Sequence, residues 1–251
     1  MERELVSIII ATYNSENTIR TALESVNQLS FDNWECIIVD GLSNDQTVSI
    51  VDQYSKENSK IRYISEKDTG IYNALNKGWR LAKGNWIYVL GSDDTLTPTG
   101  LKELLDNTEK TVDVVYGNVF LKSKDGHISN FIAKSHSHLK YVMNCSHQAV
   151  IVRKSLLEKL GGFQEKYRIR ADFDLLQRAF LAGFNFKKVD SYVAYFLEDG
   201  LSSNADYSTH IERYEICKNN KSTSFPLFWY LYQESKFYLK LILSKVWVKV
   251  Y

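Results

Sequence analysis

The chain has 251 residues, 44% of them apolar and 24% charged, enough apolar bulk for one sizeable core; this excludes a mostly disordered or collagen-like chain. Lys and Arg number 31 against 30 Asp and Glu, and a net charge of +1 advertises no nucleic-acid partner. Cys36, Cys145 and Cys217 are odd in number and form no CxxC pair, which argues against a disulfide framework or a zinc site and for a reducing compartment.

The first 120 residues alternate between strand and helix patterns. Leu5–Ala11 (LVSIIIA) is a short β-branched run, and Glu16–Leu29 reads as a helix. Trp34–Asp40 (WECIIVD) is a second strand and Asp45–Tyr54 a second helix. Ile61–Ser65 and Ile71–Ala82 repeat the pair, and Trp86–Leu90 (WIYVL) is a fourth strand closed by Gly91-Ser92-Asp93-Asp94. Near-continuous apolar strands separated by such helices indicate a parallel sheet covered on both faces. Ligands of such sheets sit beyond the carboxyl ends of the strands.

After Pro98 the pattern becomes mixed α/β. Val112–Tyr116 reads as a strand, and Val119–Lys122 with His127–Phe131 as a hairpin. Ala149–Val152 is a short strand, Lys154–Leu160 a helix ended by Gly161-Gly162, and Asp172–Ala182 a helix ended by Gly183. Phe186–Val189 and Tyr192–Phe196 are further strands. One domain through about Asn220 is expected, followed by an appendage at residues 221–251. No sequence resembling a secretory signal opens the chain, and no apolar run of about eighteen residues exists to cross a bilayer. A cytoplasmic protein is therefore expected.

Acidic residues recur where strands stop: Asp40 after CIIV, Asp93-Asp94 after IYVLGS, and Asp172 opening a helix after RIRA. Any one of them alone reads as a turn former or helix cap. Several at one sheet edge repel one another unless a cation is present, and Mg2+ or Mn2+ takes one or two carboxylates plus phosphate oxygens. No GxGxxG, GxxxxGK[ST], GxSxG or HExxH occurs, so a glycine loop for phosphate, a serine elbow and a zincin site are all unsupported.

VSIIIATYNSENTIRTALESV, CIIVDGLSNDQT and SEKDTGIYNALNKGWRLAKGNWIYVLGSDD, in that order and spacing, closely resemble the family 2 glycosyltransferases of GT-A fold. SHQAVIVRKSLLEKLGGFQEKYRIRADFDLLQRAFLAG is similar to the acceptor half of the same family, especially members that build bacterial surface polysaccharides. The resemblance covers roughly residues 5 to 205. It implies an α/β GT-A fold with a mainly parallel central sheet and a C-terminal helical appendage, the nucleotide half at residues 1–97 and the acceptor half at 98–220.

It further implies an inverting, metal-dependent transfer of a hexose from a UDP-sugar to a hydroxyl of a lipid-linked saccharide. Thr12, Tyr13, Asn14 and Asp40 fall where the family holds the nucleoside. Tyr13 offers a stacking face and Asp40 an acceptor for a base N–H, which favours uracil. Asp68 falls on another nucleotide-pocket position. Asp93 is implied at the ribose and Asp94 at the divalent cation, with Ser92 replacing the first Asp of a DxD motif. Where many relatives read ARNxG, this chain has Ala74-Leu75-Asn76-Lys77-Gly78; the resemblance implies Asn76 and Lys77 at the donor nucleotide, Lys77 being either the missing positive charge or a solvated helix lysine. Asp172 matches the catalytic base, which takes the acceptor hydroxyl proton, and it doubles as a candidate helix N-cap. His147 and Asp174 are secondary candidates, although Asp174, about 200° further round a helix, cannot share a ligand with Asp172. Gly200–Asn204 reads as a loop near the acceptor.

Residues 221–251 hold five lysines against the single acid Glu234, and Phe225–Tyr251 holds nine aromatics. This tail reads either as a helix packed on protein, including a second subunit, or as a peripheral anchor on the cytoplasmic face of the inner membrane. Two other functions compete: a non-catalytic nucleotide-sugar or carbohydrate-binding module, and a sugar nucleotidyltransferase. The latter would need a glycine-rich basic loop where ATYNSEN stands.

Overall fold

The computed structural model describes residues 4–197 and 207–223, together with 231, 232 and 235. The loop expected at Gly200–Asn204 and nearly all of the 221–251 tail lie outside the described residues.

The N-terminal half is built from β1 (Val6–Thr12), α1 (Ile19–Asn27), β2 (Trp34–Asp40), α2 (Thr47–Glu57), β3 (Ile61–Ser65), α3 (Ile71–Leu81) and β4 (Trp86–Gly91). The four strands pair in parallel in the order β3-β2-β1-β4. Every residue of β2 and all but one of β1 are buried, as expected of strands covered on both faces. Alternation sends Ile8, Ile10, Cys36 and Ile38 into one core layer, beneath α1 and α2. Ile9, Ile37 and Val39 enter the other, beneath α3. Each fully buried Ile contributes roughly 2–3 kcal/mol relative to exposure. α3 follows the same logic: Tyr72, Leu75, Asn76 and Trp79 share one face, and Gly78 lies so close to Ile9 that a Cβ would collide with that side chain.

The second half continues the same sheet through β5 (Thr95–Leu96), α4 (Gly100–Leu105), β6 (Val114–Lys122), β7 (Ile128–Phe131), β8 (Val150–Arg153), α5 (Lys154–Leu160), α6 (Ala171–Leu181), β9 (Phe186–Leu197) and α7 (Tyr207–Asn219). The full order is β3-β2-β1-β4-β8-β6-β9-β5, with β7 on β6. Beyond the parallel core the sheet is mixed: β8 runs antiparallel to both β4 and β6, while β6 and β9 are parallel. The three cysteines are buried and free.

Several expected boundaries move. α1 starts at Ile19 rather than Glu16, because Ser15 and Glu16 are held in the preceding loop. Their backbone N–H groups donate to Thr47 Oγ1 and Asp45 Oδ2 at 2.7 and 3.1 Å. The two strand pieces 112–116 and 119–122 are one strand, β6, whose pairing is irregular around Asn118. The pieces 186–189 and 192–196 likewise merge into β9. α4 and α7 were not expected.

Candidate active site

The parallel register places the strand ends side by side. Thr12 pairs with Asp40, Asp40 with Ser65, and Ala11 with Gly91, so β1, β2 and β4 stop along one edge. The side chains expected to hold a nucleoside emerge there. Asp40 is only 1% exposed and accepts three bonds: Ser43 N at 3.0 Å, Ser43 Oγ at 2.5 Å and Ser65 Oγ at 2.6 Å. It thus shapes the β2 turn, the structural role any lone Asp there would have, with one lone pair left over. Tyr13 is 61% exposed and offers its ring to solvent. Asn14, at φ 50°, donates its N–H to Ser43 Oγ at 2.8 Å and accepts the Asn44 N–H at 3.0 Å, locking the β1 and β2 loops together. Gly41 separates Tyr13 from Asp68: a Cβ there would stand 2.6 Å from Asp68 Oδ2 and 3.5 Å from the Tyr13 ring. Thr12 Oγ1 is buried without a hydrogen-bond partner, an orphan hydroxyl beside this slot.

A cleft of about 230 Å3 continues from the β4 end into the second half. Its lining includes Gly91, Ser92, Asp93, Asp94, His147, Gln148, Arg168 and Asp172. The β4 end folds sharply, with Asp94 N donating to Gly91 O at 3.2 Å. Gly91 is required by close approach: a Cβ would collide with Asp94 Oδ2 and stand 2.9 Å from Asp93 Oδ1. Gln148 Nε2 donates to Asp94 Oδ2 at 2.6 Å and the Leu197 N–H to Oδ1 at 3.0 Å, so Asp94 is pinned from β9 and from the segment before β8. Burial and the neighbouring Asp93 push the Asp94 carboxyl up to about 6, against the lowering effects of the Leu197 bond, His147 and Gln148.

Such a pair of carboxylates fits a hard divalent cation, which would relieve the repulsion that raises Asp94. Among the described residues no three His, Cys, Asp or Glu side chains converge on one metal position. A cation here would therefore draw most of its ligands from phosphate oxygens and water, the usual habit of Mg2+.

Asp172 sits in the first turn of α6, where the helix dipole favours an anion. The N-cap position belongs to Arg170, so Asp172 is not the cap. Its Oδ1 accepts the Phe173 N–H at 2.8 Å and lies 3.3 Å from the Tyr72 hydroxyl, which donates to Ile169 O at 2.7 Å; Oδ2 lies 3.5 Å from His147 Nδ1. Burial alone would raise Asp172, but the His147 ring and the Phe173 N–H outweigh it and hold the carboxyl below its usual range. The same contact raises His147 against the effect of burial, with Asp94 and Asp93 adding to it. An apolar recess of about 70 Å3, lined by Leu75, Ile87, Val150, Phe163 and Leu176, adjoins this pair.

Three expected residues stand elsewhere. Asn76 is buried and joins α3 to the turn after α5: Nδ2 donates to Phe163 O and Glu165 Oε1, both at 2.9 Å, and Oδ1 accepts from Trp79 Nε1 and Phe163 N. Lys77 is tied to Glu66 at 2.8 Å and donates to Lys67 O at 2.7 Å, away from the cleft lining. Asp174 is fully buried and binds Arg178 Nε at 2.8 Å, outside the cleft lining that includes Asp172. Conversely, Gln148, Gly91, Gly41 and Arg168 were not singled out. The glycine before Ser92 was the readable signal for Gly91; nothing local marks Gln148.

A family model described as glycosyl transferase family 2 matches residues 7–161, more than half of the chain. The chain belongs to glycosyl transferase family 2. This family 2 glycosyltransferase is 32% identical over 186 residues to a PGL/p-HBAD biosynthesis glycosyltransferase of Mycobacterium bovis, covering 72% of this chain and 71% of that protein. Its fold is similar to S. aureus TarS residues 1–349 in complex with UDP-GlcNAc: TM-score 0.70, 21% identity, covering 86% of this chain and 65% of that one. It is also similar to the mannosyltransferase PcManGT of Pyrobaculum calidifontis in complex with GDP-Man and Mn2+: TM-score 0.65, 18% identity, 88% and 64% coverage. The family 2 glycosyltransferase thus spans just under two thirds of both solved chains. No helix among the described residues is long and apolar enough to cross a membrane.

Proposed function

We propose that this family 2 glycosyltransferase is an inverting, metal-dependent enzyme that moves a hexose or N-acetylhexosamine from a UDP-sugar to a hydroxyl of a lipid-linked saccharide. One observation carries the reading: Asp93, Asp94, His147 and Asp172 line the same cleft, so a phosphate-side acidic pair and an acceptor-side base are within reach of one sugar. UDP-GlcNAc bound to TarS and GDP-Man with Mn2+ bound to PcManGT support a nucleotide-sugar donor and a divalent cation. The relative in PGL/p-HBAD biosynthesis supports a glycolipid or surface-glycan role.

On this reading Tyr13 stacks on the base, the free lone pair of Asp40 accepts its N–H, Asp68 lines the nucleotide pocket, and Asp93 meets the ribose. Asp94 would hold Mn2+ or Mg2+, and the cation would supply positive charge to the leaving nucleoside diphosphate. Asp172 takes the proton of the acceptor hydroxyl while that oxygen bonds to the anomeric carbon. The bond to the diphosphate breaks on the opposite side, the electron pair leaves with phosphate, and configuration inverts. His147 holds Asp172 in the ionised form the step needs. Residues 1–97 serve the donor and 98–220 the acceptor; the basic aromatic segment at 221–251 serves peripheral contact with the inner membrane, where a lipid-linked acceptor resides.

The test is a panel of UDP- and GDP-sugars assayed for nucleoside diphosphate release onto a synthetic lipid-diphosphate sugar, with and without chelator. Release from one UDP-sugar, abolished by chelator and giving an inverted anomer by NMR, is expected. Turnover with GDP-sugars alone, chelator-resistant turnover or a retained anomer would each refute part of it.

A further inference from the structure

The segment between α5 and α6 delivers Arg168, Ile169 and Arg170 into the first turn that carries Asp172. Three consecutive backbone N–H groups of this segment converge on one carboxylate. Arg168 N donates to Glu212 Oε1 at 2.7 Å, and Ile169 N and Arg170 N each donate to Oε2 at 3.0 Å. Backbone nests of this kind hold anions firmly, and hydrogen bonds to a charged acceptor are about twice as strong as neutral ones.

Glu212 sits on α7, more than forty residues further along, and that helix is itself anchored to the acceptor half. Arg170 Nε donates to Thr209 O at 2.9 Å, Asn219 Nδ2 to the Tyr167 hydroxyl at 2.9 Å, and Asn220 Nδ2 to Asp174 Oδ1 at 3.1 Å. Tyr72 of α3 grips the other side of the segment through Ile169 O. The segment is therefore held from both flanks, and Arg168, Ile169 and Asp172 all line the cleft.

Charge gives this clamp a purpose. Among the described residues that line it, three are carboxylates, Asp93, Asp94 and Asp172, and Arg168 is the one Lys or Arg. Lys77, the expected cation from α3, is committed to Glu66. We propose that Glu212 is the positioning residue of this site: by gathering three backbone N–H groups it sets the Asp172 carboxylate and aims the Arg168 guanidinium at the anionic diphosphate of the donor. The ligand half of this inference rests on the glycosyl-transfer reading; the clamp half does not.

Hydrogen exchange on the full chain tests the clamp directly. In Glu212→Gln, which keeps the shape but only one acceptor oxygen, peptides spanning 165–172 exchange about ten-fold faster while peptides from β1 to β4 are unchanged; unaltered exchange at 165–172 overturns the clamp. Calorimetry with UDP and Mg2+ tests the cation. Arg168→Ala weakens UDP binding about ten-fold or more, and Arg168→Lys recovers part of it; unchanged UDP affinity in Arg168→Ala overturns that role. Glu212→Gln also lowers kcat about ten-fold, with donor KM changed less and the melting temperature within a few degrees of wild type. A lowered melting temperature with kcat intact would reduce Glu212 to scaffolding and refute the proposal. A wild-type chain that binds neither UDP nor GDP sinks the donor reading and the Arg168 role with it, while exchange still decides the clamp.

Discussion

His147 Nδ1 stands 3.5 Å from Oδ2 of Asp172, and the opposite oxygen of that carboxylate accepts the Phe173 backbone N–H at 2.8 Å. The two side chains come from separate parts of the chain, one just before β8 and the other in the first turn of α6. Their meeting turns two individually ambiguous residues into a coupled acid–base pair, because each favours the charged form of the other.

The first prediction concerns pH. Burial opposes charge on both groups, yet the mutual contact lowers Asp172 and raises His147. The stabilisation from His147 is fully present below its unfolded value near 6.5 and is lost as pH rises through the higher folded value. The stabilisation from Asp172 is present above the unfolded carboxylate value near 4 and is lost as pH falls through the lower folded one. His147→Gln should therefore be less stable than wild type by about 1 kcal/mol near pH 5–6, the gap closing in alkali. It should also move the acid limb of kcat/KM to higher pH, because Asp172 then protonates more easily. An acid limb that stays in place would show that Asp172 is not the group titrating in the reaction.

The second prediction uses Asp94, raised to about 6 chiefly by burial and then by Asp93. A carboxyl whose folded value exceeds its unfolded value stabilises the protonated fold, and that contribution vanishes as pH rises from about 4 through about 6. Between pH 4 and 7 the metal-free wild type should thus lose stability relative to Asp94→Asn by on the order of 2 kcal/mol. Thermal melts with and without MnCl2 read both this and the cation. Added Mn2+ should raise the wild-type midpoint at pH 7 and leave Asp94→Asn unmoved; equal shifts would place the cation elsewhere.

The parallel core was legible because β1, β2 and β4 are buried on both faces, and such strands announce themselves as unbroken apolar runs. Asp40, Asp94 and Asp172 were legible for a related reason: an acid that ends an apolar strand or opens a helix interrupts the pattern at one place. α4 was missed because Gly100–Leu105 offers only one and a half turns of periodicity after a Thr-Pro-Thr break. α7 was missed because its apolar residues follow no single stripe: Ile216 and Cys217 enter the core, while Glu212 and Asn219 anchor the helix through hydrogen bonds. Partners such as Gln148 for Asp94, 54 residues apart, depend on how β8 joins β4 and leave no local trace.

The third prediction separates Asn76 and Lys77 from nucleotide binding. Asn76 satisfies two donors and two acceptors inside the protein. Replacing it by Ala strands the Phe163 N–H and O and the Trp79 indole, which should lower stability by about 2–4 kcal/mol. At temperatures where the variant is folded, its UDP affinity should match wild type. Lys77→Ala, which breaks a part-exposed pair with Glu66 and one hydrogen bond to Lys67 O, should change UDP affinity less than about two-fold and stability by about 1 kcal/mol. Loss of UDP binding in either folded variant, measured by calorimetry, would return α3 to the donor site.

The fourth prediction contrasts two glycines at the sheet edge. A Cβ at Gly91 would run into the Asp94 carboxylate, which is immobile because Gln148 and Leu197 hold it, and would press on Asp93. Gly91→Ala must therefore displace both acids together, and it should lower kcat/KM about a hundred-fold or more and abolish the Mn2+-induced rise in melting temperature. At Gly41 the obstacles are the Asp68 carboxylate, held by one hydrogen bond from the Gly70 N–H, and the exposed ring of Tyr13, so less must move than at Gly91. Gly41→Ala should accordingly weaken UDP only several-fold, with melting temperature and Mn2+ response unchanged. Should the two variants lose activity equally while both keep the Mn2+ response, the tight Gly91 turn would not be what orders the acidic pair.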